Sequence, residues 1–159
     1  RSRIDVWLDP YGEAQGLGYQ SLQGTYAIEA GGITGEGLGL GQPEAIPAAP
    51  TDYIFAGVCE ELGLAGGAGV AMLYLVLLFA GLRVALAMPD DYGKLLAASA
   101  AMLIAIQAAV IIAGNLRIIP TTGITLPFVS YGGSSLVINF ALIGLLLGMS
   151  QASASADQG

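Results

Sequence analysis

The first candidate for chemistry is an acid at the start of an apolar run: Asp52 follows Thr51 and precedes Tyr53, Ile54 and Phe55. In a helix that begins here, Thr51 is suited to be the N-cap, and the Asp52 carboxylate complements the helix dipole in the first turn. A carboxylate that enters an apolar run is also partly desolvated. Desolvation makes it a better proton acceptor near neutral pH and a candidate general base. The sequence leaves a capping role and a catalytic role both open.

Two further acids, Glu60 and Glu61, follow Asp52 by eight and nine residues. With about 3.6 residues per helical turn, they lie roughly 80° and 180° around a helix from Asp52, so the three carboxylates need not converge. Such acids are either solvated or paired with arginines, or one of them is a site acid or a divalent-ion ligand. Both interpretations stay open.

The stretch from Pro120 to Ser135 is dense in hydroxyl groups and in residues that break regular backbone. Irregular backbone next to a membrane is tolerated where it is buried in protein or lines a water-filled cavity. One interpretation is a re-entrant turn with an N-cap at Ser134 or Ser135. We favour a cavity wall that faces a polar headgroup, because a plain turn does not need sixteen such residues.

Two amides, Gln107 and Asn115, interrupt an apolar stretch eight residues apart and on roughly one side of a helix. Interhelical hydrogen bonding is the favoured role. Together with Arg117 they would also suit a conduction path. Cys59 is most simply a small packed apolar residue.

The composition of the 159 residues excludes several classes of site. With no His and one Cys, the chain holds no Ser–His–Asp triad, no Cys–His pair and no imidazole metal ligand. Five basic residues against twelve acidic ones give a net charge of −7, which argues against nucleic-acid binding. Hydrophobic residues make up 55% and charged residues 11%, less than half the usual charged share of a soluble domain. This composition indicates a bilayer protein.

Three apolar stretches are candidate membrane spans: Gly66–Met88, Leu95–Ile119 and Leu136–Met149. A transmembrane helix needs about 20 apolar residues, so the first two qualify and the third is marginal. The third span could begin earlier, near Gly132, or the bilayer could thin around it.

The region that precedes the spans, residues 1–66, holds nine of the twelve acids and many Gly and Pro residues. Helical periodicity occurs in Tyr19–Ala30 and Thr51–Leu64. We interpret the region as a structured loop with short amphipathic helices at a membrane surface. Because the chain opens on Arg1 with a polar segment, we expect it to be the C-terminal piece of a longer protein.

Arg83 and Lys94 flank the short connection between the first two spans, which predicts that this connection is cytoplasmic. The acidic loop and the Pro120–Ser135 connection then face outward together. The predicted fold is an all-α membrane protein, with an extracellular loop at 1–66, three transmembrane helices at 67–149 that include a re-entrant-type loop at 117–135, and a disordered cytoplasmic tail at 150–159.

Sequence motifs along most of the chain resemble the SEDS family, the FtsW/RodA/SpoVE proteins of bacterial cell-wall synthesis. The similarity lies in the order and spacing of several short motifs. These are Trp7-Leu8-Asp9-Pro10, Gly18-Tyr19-Gln20, Ala30–Gly35, Pro47 followed by Thr51–Ala56, Glu60–Gly63, Thr122–Phe128 and Ser130–Ser135.

The resemblance implies a ten-helix protein of which this chain holds the large extracellular loop and helices eight to ten. It implies a peptidoglycan glycosyltransferase that polymerises lipid II into β-1,4 glycan for cell elongation or division. Asp52 matches the family's loop aspartate, the expected general base on the acceptor 4-hydroxyl. The residues expected to contact substrate are Gln20, Thr51, Glu60, Glu61, Ser130 and Ser134. No cofactor or metal-ligand set is evident, and a divalent cation stays open.

The expected partners are lipid II, the undecaprenyl-diphosphate-linked glycan, the lipid bilayer and a class B penicillin-binding protein transpeptidase, with no nucleic acid. The expected location is the bacterial inner membrane, with the site on the extracytoplasmic side. The chain departs from the family pattern at Ala48, Pro50 and Tyr53, which puts acceptor contacts and loop rigidity in question. A flippase or transporter of lipid-linked precursors, or a membrane scaffold of the cell-wall machinery, is the alternative.

Overall fold

The computed structural model describes residues 3–13, 17–41 and 51–156, and within these ranges all regular structure is helical. This confirms the predicted all-α class. A short 3-10 turn at Tyr11–Glu13 accompanies five α-helices. The helices are α1 (Arg3–Leu8), α2 (Leu17–Gly31), α3 (Ile54–Ala87), α4 (Asp91–Asn115) and α5 (Gly133–Ala156).

Three of these helices are long and apolar enough to cross a bilayer, and they are α3, α4 and residues 133–153 of α5. The three predicted spans are therefore confirmed. α4 begins at Asp91, four residues earlier than predicted, because the Asp90 carboxylate caps it by accepting a hydrogen bond from the Gly93 N–H (2.7 Å). α2 contains the helix predicted at Tyr19–Ala30.

The third span is longer at both ends than the apolar stretch that predicted it. α5 begins at Gly133, which agrees with the earlier start considered near Gly132 and gives the helix enough length to span. It continues through Ser and Ala residues to Ala156. The predicted disordered tail from residue 150 is therefore wrong for 150–156, since polar small residues extend a helix that is already nucleated. Residues 157–159 lie outside the described residues.

Gly63 interrupts α3 with φ 67° and ψ −171°, a combination open essentially only to glycine. A Cβ at this position would collide with the backbone of Ile33 and Gly35. The break separates a first helical part, residues 54–62, from a second part, residues 64–87, which at 1.5 Å per residue is about 36 Å long. The second part is long enough to cross a membrane without the first.

The turn after α2 supplies the backbone hydrogen bonds that the break in α3 leaves open. In a continuous helix, the N–H groups of residues 64 and 65 would donate to the carbonyls of residues 60 and 61. Each of these four groups instead bonds to the turn at residues 32–37. The bonds are Leu64 N–H to Gly32 O (2.9 Å), Ala65 N–H to Ile33 O (3.2 Å), Glu36 N–H to Glu60 O (3.0 Å) and Gly37 N–H to Glu61 O (3.0 Å).

α3 begins two residues later than the sequence pattern predicted. Ile54 is its first residue and Tyr53 occupies the N-cap position without a side-chain cap hydrogen bond. The prediction that Thr51 is the N-cap and that Asp52 lies in the first turn is therefore wrong. Thr51 and Asp52 lie in the turn that leads into the helix.

Two buried clusters join the spans, with α4 between α3 and α5. One cluster lies near the start of α3 and the end of α4 and includes the connection after α4; it consists of Phe55, Cys59, Ala108, Ile111 and Leu126. The other lies near the opposite end of α4 and consists of Ala85, Ala97, Ala100, Ala101 and Leu146. Cys59 is thus packed as predicted. The small side chains allow close helix approach, as is typical of membrane helices.

Candidate functional site

The candidate site lies at the junction between the turn at Thr51–Tyr53, the C-terminal end of α4 and the connection that follows α4. Asp52 is half-buried in this turn. It lines a small cavity together with Asn115 and residues 121–124. The cavity has a volume of about 10 Å³, enough for roughly one water molecule. Asp52 therefore lines a small cavity while it stays partly exposed at the protein surface.

Asn115, the last residue of α4, is 4% exposed and joins three backbone segments through its side-chain amide. Its Nδ2 donates to the Asp52 carbonyl (2.9 Å) and to the Ile111 carbonyl (3.0 Å). Its Oδ1 accepts the Ala56 N–H (3.2 Å), one of the donors that a helix N-terminus leaves open. Asn115 thus supplies a cap that the Tyr53 side chain does not.

Ser130 is the counterpart of Asn115 on the connection between α4 and α5. Its hydroxyl donates to the Thr51 carbonyl (2.7 Å) and accepts the Leu126 N–H (2.8 Å). The side chain is 4% exposed. The hydroxyl is thus buried and its hydrogen bonds are made within the protein, and the substrate contact predicted for Ser130 stays a prediction.

Residues 121–124 of the connection between α4 and α5 line the Asp52 cavity, and a wall that faces a polar headgroup stays a prediction for the Pro120–Ser135 stretch. Its residues 120–126 have no regular structure, and neighbouring side chains hold it in place. Gln107 Nε2 donates to the Thr125 carbonyl (2.9 Å), and the Tyr74 hydroxyl donates to the Pro127 carbonyl. Gln107 thus bonds to the connection and not to a neighbouring helix, whereas Asn115 forms the predicted interhelical hydrogen bond, with the Ala56 N–H of α3 (3.2 Å).

Tyr53 anchors the turn on its other side, against α2. The ring is buried, and a Cβ at Gly24 would come within 2.6 Å of it, so α2 approaches closely here. Burial raises the pKa of the Tyr53 phenol above its ordinary value of 10.0, while hydrogen bonds with Thr121 and Ser21 act in the opposite direction. The phenol is therefore neutral at physiological pH. Thr121 and Ser21 thus provide hydrogen-bond partners for the phenol at position 53, one of the positions at which the chain departs from the family pattern.

Two arginines, which sequence reasoning did not select as site residues, lie behind the same wall. Arg3 Nη1 donates to the Thr121 carbonyl (3.1 Å), and Arg117 Nη2 donates to the Trp7 carbonyl (3.2 Å). Trp7 Nε1 returns a hydrogen bond to the Arg117 carbonyl (2.8 Å). A second small cavity lined by these side chains shares Gly114 and Thr121 with the Asp52 cavity. Within the described ranges, neither guanidinium forms an ion pair with a carboxylate.

Arg117 has a backbone conformation that is unusual for its residue type, with φ 57°. The position follows the C-cap of α4, where glycine is the common choice. The hydrogen bonds are those of a Schellman motif, from Arg117 N–H to Gly114 O (3.1 Å) and from Ile118 N–H to Ala113 O (2.9 Å). A non-glycine residue in this conformation, close to a cavity, is a structural signal that marks Arg117 as a candidate site residue.

The other predicted substrate contacts do not line the Asp52 cavity. Gln20 on α2 and Glu61 on α3 are partly exposed, and Ser134 is exposed in the first turn of α5. Glu60 is 7% exposed and faces Gly41, at which a Cβ would lie 3.2 Å from the Glu60 carboxyl carbon. Only Thr51 adjoins Asp52, so the structure does not gather the predicted set around one centre.

Among the residues that the structure describes, no group of three or more Asp, Glu, Cys or His side chains is arranged to hold a metal ion.

Comparison with known proteins connects this architecture to one family. The family model described as "Cell cycle protein" (FTSW_RODA_SPOVE) matches residues 1–155. Peptidoglycan glycosyltransferase RodA of Mycobacterium bovis is 48% identical over 146 residues, which cover 92% of this chain and 31% of that protein. Stage V sporulation protein E of Bacillus subtilis is 44% identical over 151 residues, which cover 94% of this chain and 41% of that protein.

A solved structure has the same fold. It is a chain of a peptidoglycan synthase complex that coordinates polymerization and crosslinking. The two chains superpose with a TM-score of 0.75 at 31% identity, over 95% of this chain and 41% of the other. The present chain thus spans about a third to two fifths of the length of the relatives it matches. From the motif order, the three spans and these similarities, the chain belongs to the FtsW/RodA/SpoVE family.

Proposed function

We propose that the full-length protein containing this chain is a peptidoglycan glycosyltransferase that polymerises lipid II into β-1,4 glycan for cell elongation or division. Relatives that match more than nine tenths of this chain are named as peptidoglycan glycosyltransferases or probable ones. Since the chain spans less than half of each relative, the remaining helices would complete the substrate sites.

In this proposal Asp52 is the general base. Its carboxylate removes the proton from the 4-hydroxyl of the acceptor sugar, whose oxygen attacks the anomeric carbon of the donor. The bond from that carbon to the lipid diphosphate breaks, and the diphosphate leaves with the electron pair. Attack from the opposite face inverts the anomeric centre and gives the β-1,4 link.

The observation that carries the proposal is a half-buried acid, Asp52, that lines a small cavity and whose backbone is held on both sides by buried side chains. A cavity with room for about one water cannot admit a sugar, so the acceptor would bind over its mouth. Arg3 and Arg117, across the shared wall at Thr121, bear positive charge that suits a departing diphosphate.

The location and partners belong to the same proposal: the bacterial inner membrane, an extracytoplasmic site, and a class B penicillin-binding protein. A similar chain occurs in a peptidoglycan synthase complex, which supports a partner of this kind. An apolar groove between α3 and α4 includes small residues, among them Ala71, Ala105 and Ala109, and would accept a partner's transmembrane helix.

The test uses purified full-length protein in vesicles with lipid II, and measures both glycan formation and lipid II translocation. We expect Asp52→Asn to lower polymerisation by about 10²- to 10⁴-fold, the usual contribution of a general base. Asp91→Asn is the matched control, because it removes only an exposed ion pair with Lys94 (3.2 Å) and should leave the rate within about threefold.

Equal glycan from wild type and Asp52→Asn would reject Asp52 as the base. Translocation without glycan from the wild type would favour the flippase alternative. In that case Asp52→Asn should translocate as the wild type does, because a transporter has no need of a proton acceptor at this position.

A further inference from the structure

The two peptide planes that flank the Asp52 Cα are each held by a different buried side chain. The Thr51 carbonyl belongs to the peptide before Asp52, and it accepts from Ser130 Oγ (2.7 Å). The Asp52 carbonyl belongs to the peptide after it, and it accepts from Asn115 Nδ2 (2.9 Å). Because φ and ψ are the soft torsions between these planes, fixing both planes fixes the direction of the Asp52 Cα–Cβ bond.

We propose that Asn115 and Ser130 are positioning residues that act as a two-point clamp on the backbone of Asp52 and set the direction in which its side chain leaves the backbone. This inference rests on the proposed function for its catalytic consequence. Asn115 comes from the end of α4 and Ser130 from the connection before α5, so the aim of Asp52 is set by two elements distant from it in sequence.

The side chains that make both contacts are buried, which limits their replacement by water. Asn115 and Ser130 are each 4% exposed, and each also satisfies a second backbone group, the Ala56 N–H for Asn115 and the Leu126 N–H for Ser130. The second bonds orient the clamping side chains themselves, since an amide or hydroxyl with two fixed partners has one favourable rotamer.

A second buried asparagine serves as an internal comparison. Asn139 in α5 is 2% exposed, and its Nδ2 donates to the carbonyl and hydroxyl of Ser135 one turn earlier (2.9 and 3.2 Å). The two asparagines share burial and an apolar span, but only Asn115 bonds to the Asp52 turn. Asn115 therefore contacts the Asp52 turn because it lies at the end of α4, and a buried asparagine elsewhere in the spans, Asn139, does not make this contact.

The test measures kcat and KM for lipid II polymerisation by the full-length protein carrying Asn115→Asp, with Asn139→Asp as the matched control. Asn115→Asp keeps the shape and the acceptor for the Ala56 N–H but removes the donor to Asp52. We expect kcat to fall about ten- to hundredfold with KM within about threefold, because misaimed groups lose rate more than binding. Asn139→Asp should leave kcat within about threefold.

Ser130→Ala tests the other half of the clamp and decides the question if Asn115→Asp does not fold. It should give the same loss of kcat at unchanged KM. Hydrogen–deuterium exchange gives a readout that needs no activity: amides of residues 51–57 should exchange faster in both variants and not in Asn139→Asp.

Unchanged kcat and unchanged exchange in folded Asn115→Asp or Ser130→Ala would overturn the clamp. An equal loss of kcat in Asn139→Asp would also overturn it, because the effect would then be general destabilisation. Wild-type turnover in Asp52→Asn would instead overturn the proposed function, and the exchange measurement would then judge the clamp alone.

Discussion

The junction around Asp52 and the membrane-spanning part of the bundle are built from different interactions. At the junction, side chains reach across more than fifty residues to bond single backbone groups, as Asn115 does to Asp52 and Ala56. In the spans, α3, α4 and α5 meet through Ala, Gly and Leu side chains. The junction is thus held by individual hydrogen bonds, whereas the spans are held by the close packing of small and apolar residues. Substitutions in the two regions should therefore have different effects on activity and stability.

The two regions also differ in how far their side chains find partners within this chain. Large apolar side chains on the outer faces of the spans are exposed in this chain, for example Phe79 and Leu86. Such faces suit lipid or further helices. Around Asp52, the buried polar groups Asn115 and Ser130 have partners within the chain itself. The junction is therefore largely preorganised before the rest of the protein is added.

The largest expected effect comes from the break in α3, which joins the two regions. Gly63→Val places a branched side chain at φ 67° and against the backbone of Ile33 and Gly35. We expect a loss of more than about 3 kcal/mol in the free energy of unfolding, measured by thermal unfolding of the full-length protein.

Gly69→Ala is the control for this prediction, because a Cβ at Gly69 meets nothing within 4 Å. It should stabilise the helix or leave it unchanged, by up to about 1 kcal/mol. A Gly63→Val protein that melts like the wild type would mean that the exchanged hydrogen bonds between the turn and α3 are not needed.

A matched pair of Gly→Ala substitutions separates the two regions directly. In Gly24→Ala the new methyl presses on the Tyr53 ring, next to Asp52, whereas in Gly81→Ala it presses on Ala101 between two spans. Overpacking costs about 1–3 kcal/mol in either case. We expect both to lower the melting temperature, but only Gly24→Ala to lower kcat for lipid II polymerisation as well. Equal kcat losses would contradict the division between the regions.

The smallest effect concerns the neutral phenol at the junction. Burial raises the pKa of Tyr53, so its contribution to stability is complete below about pH 10 and is lost as pH rises through the higher value in the folded protein. Tyr53→Phe should cost about 1 kcal/mol at neutral pH through the lost hydrogen bonds. It should also make the alkaline fall in melting temperature less steep, and a parallel fall in both proteins would argue against a buried phenol.

The spans and most helices could be predicted from sequence, because hydropathy and periodicity are local properties. The break at Gly63 could not, since the groups that replace its helical hydrogen bonds come from residues 32–37. Asp52 could be selected by its residue type and apolar neighbours. The clamp could not, because Asn115 and Ser130 approach it only in three dimensions. Ser130 was selected for its hydroxyl, whose partner, the Thr51 carbonyl, carries no signal in the sequence.

The most direct test measures lipid II binding and turnover in the same samples of full-length wild type and Asp52→Asn. A group that acts as a base contributes to the transition state more than to binding. The account predicts a Kd within about threefold of the wild type and a turnover at least about a hundredfold lower. Turnover by Asp52→Asn at the wild-type rate, with lipid II bound, would contradict it.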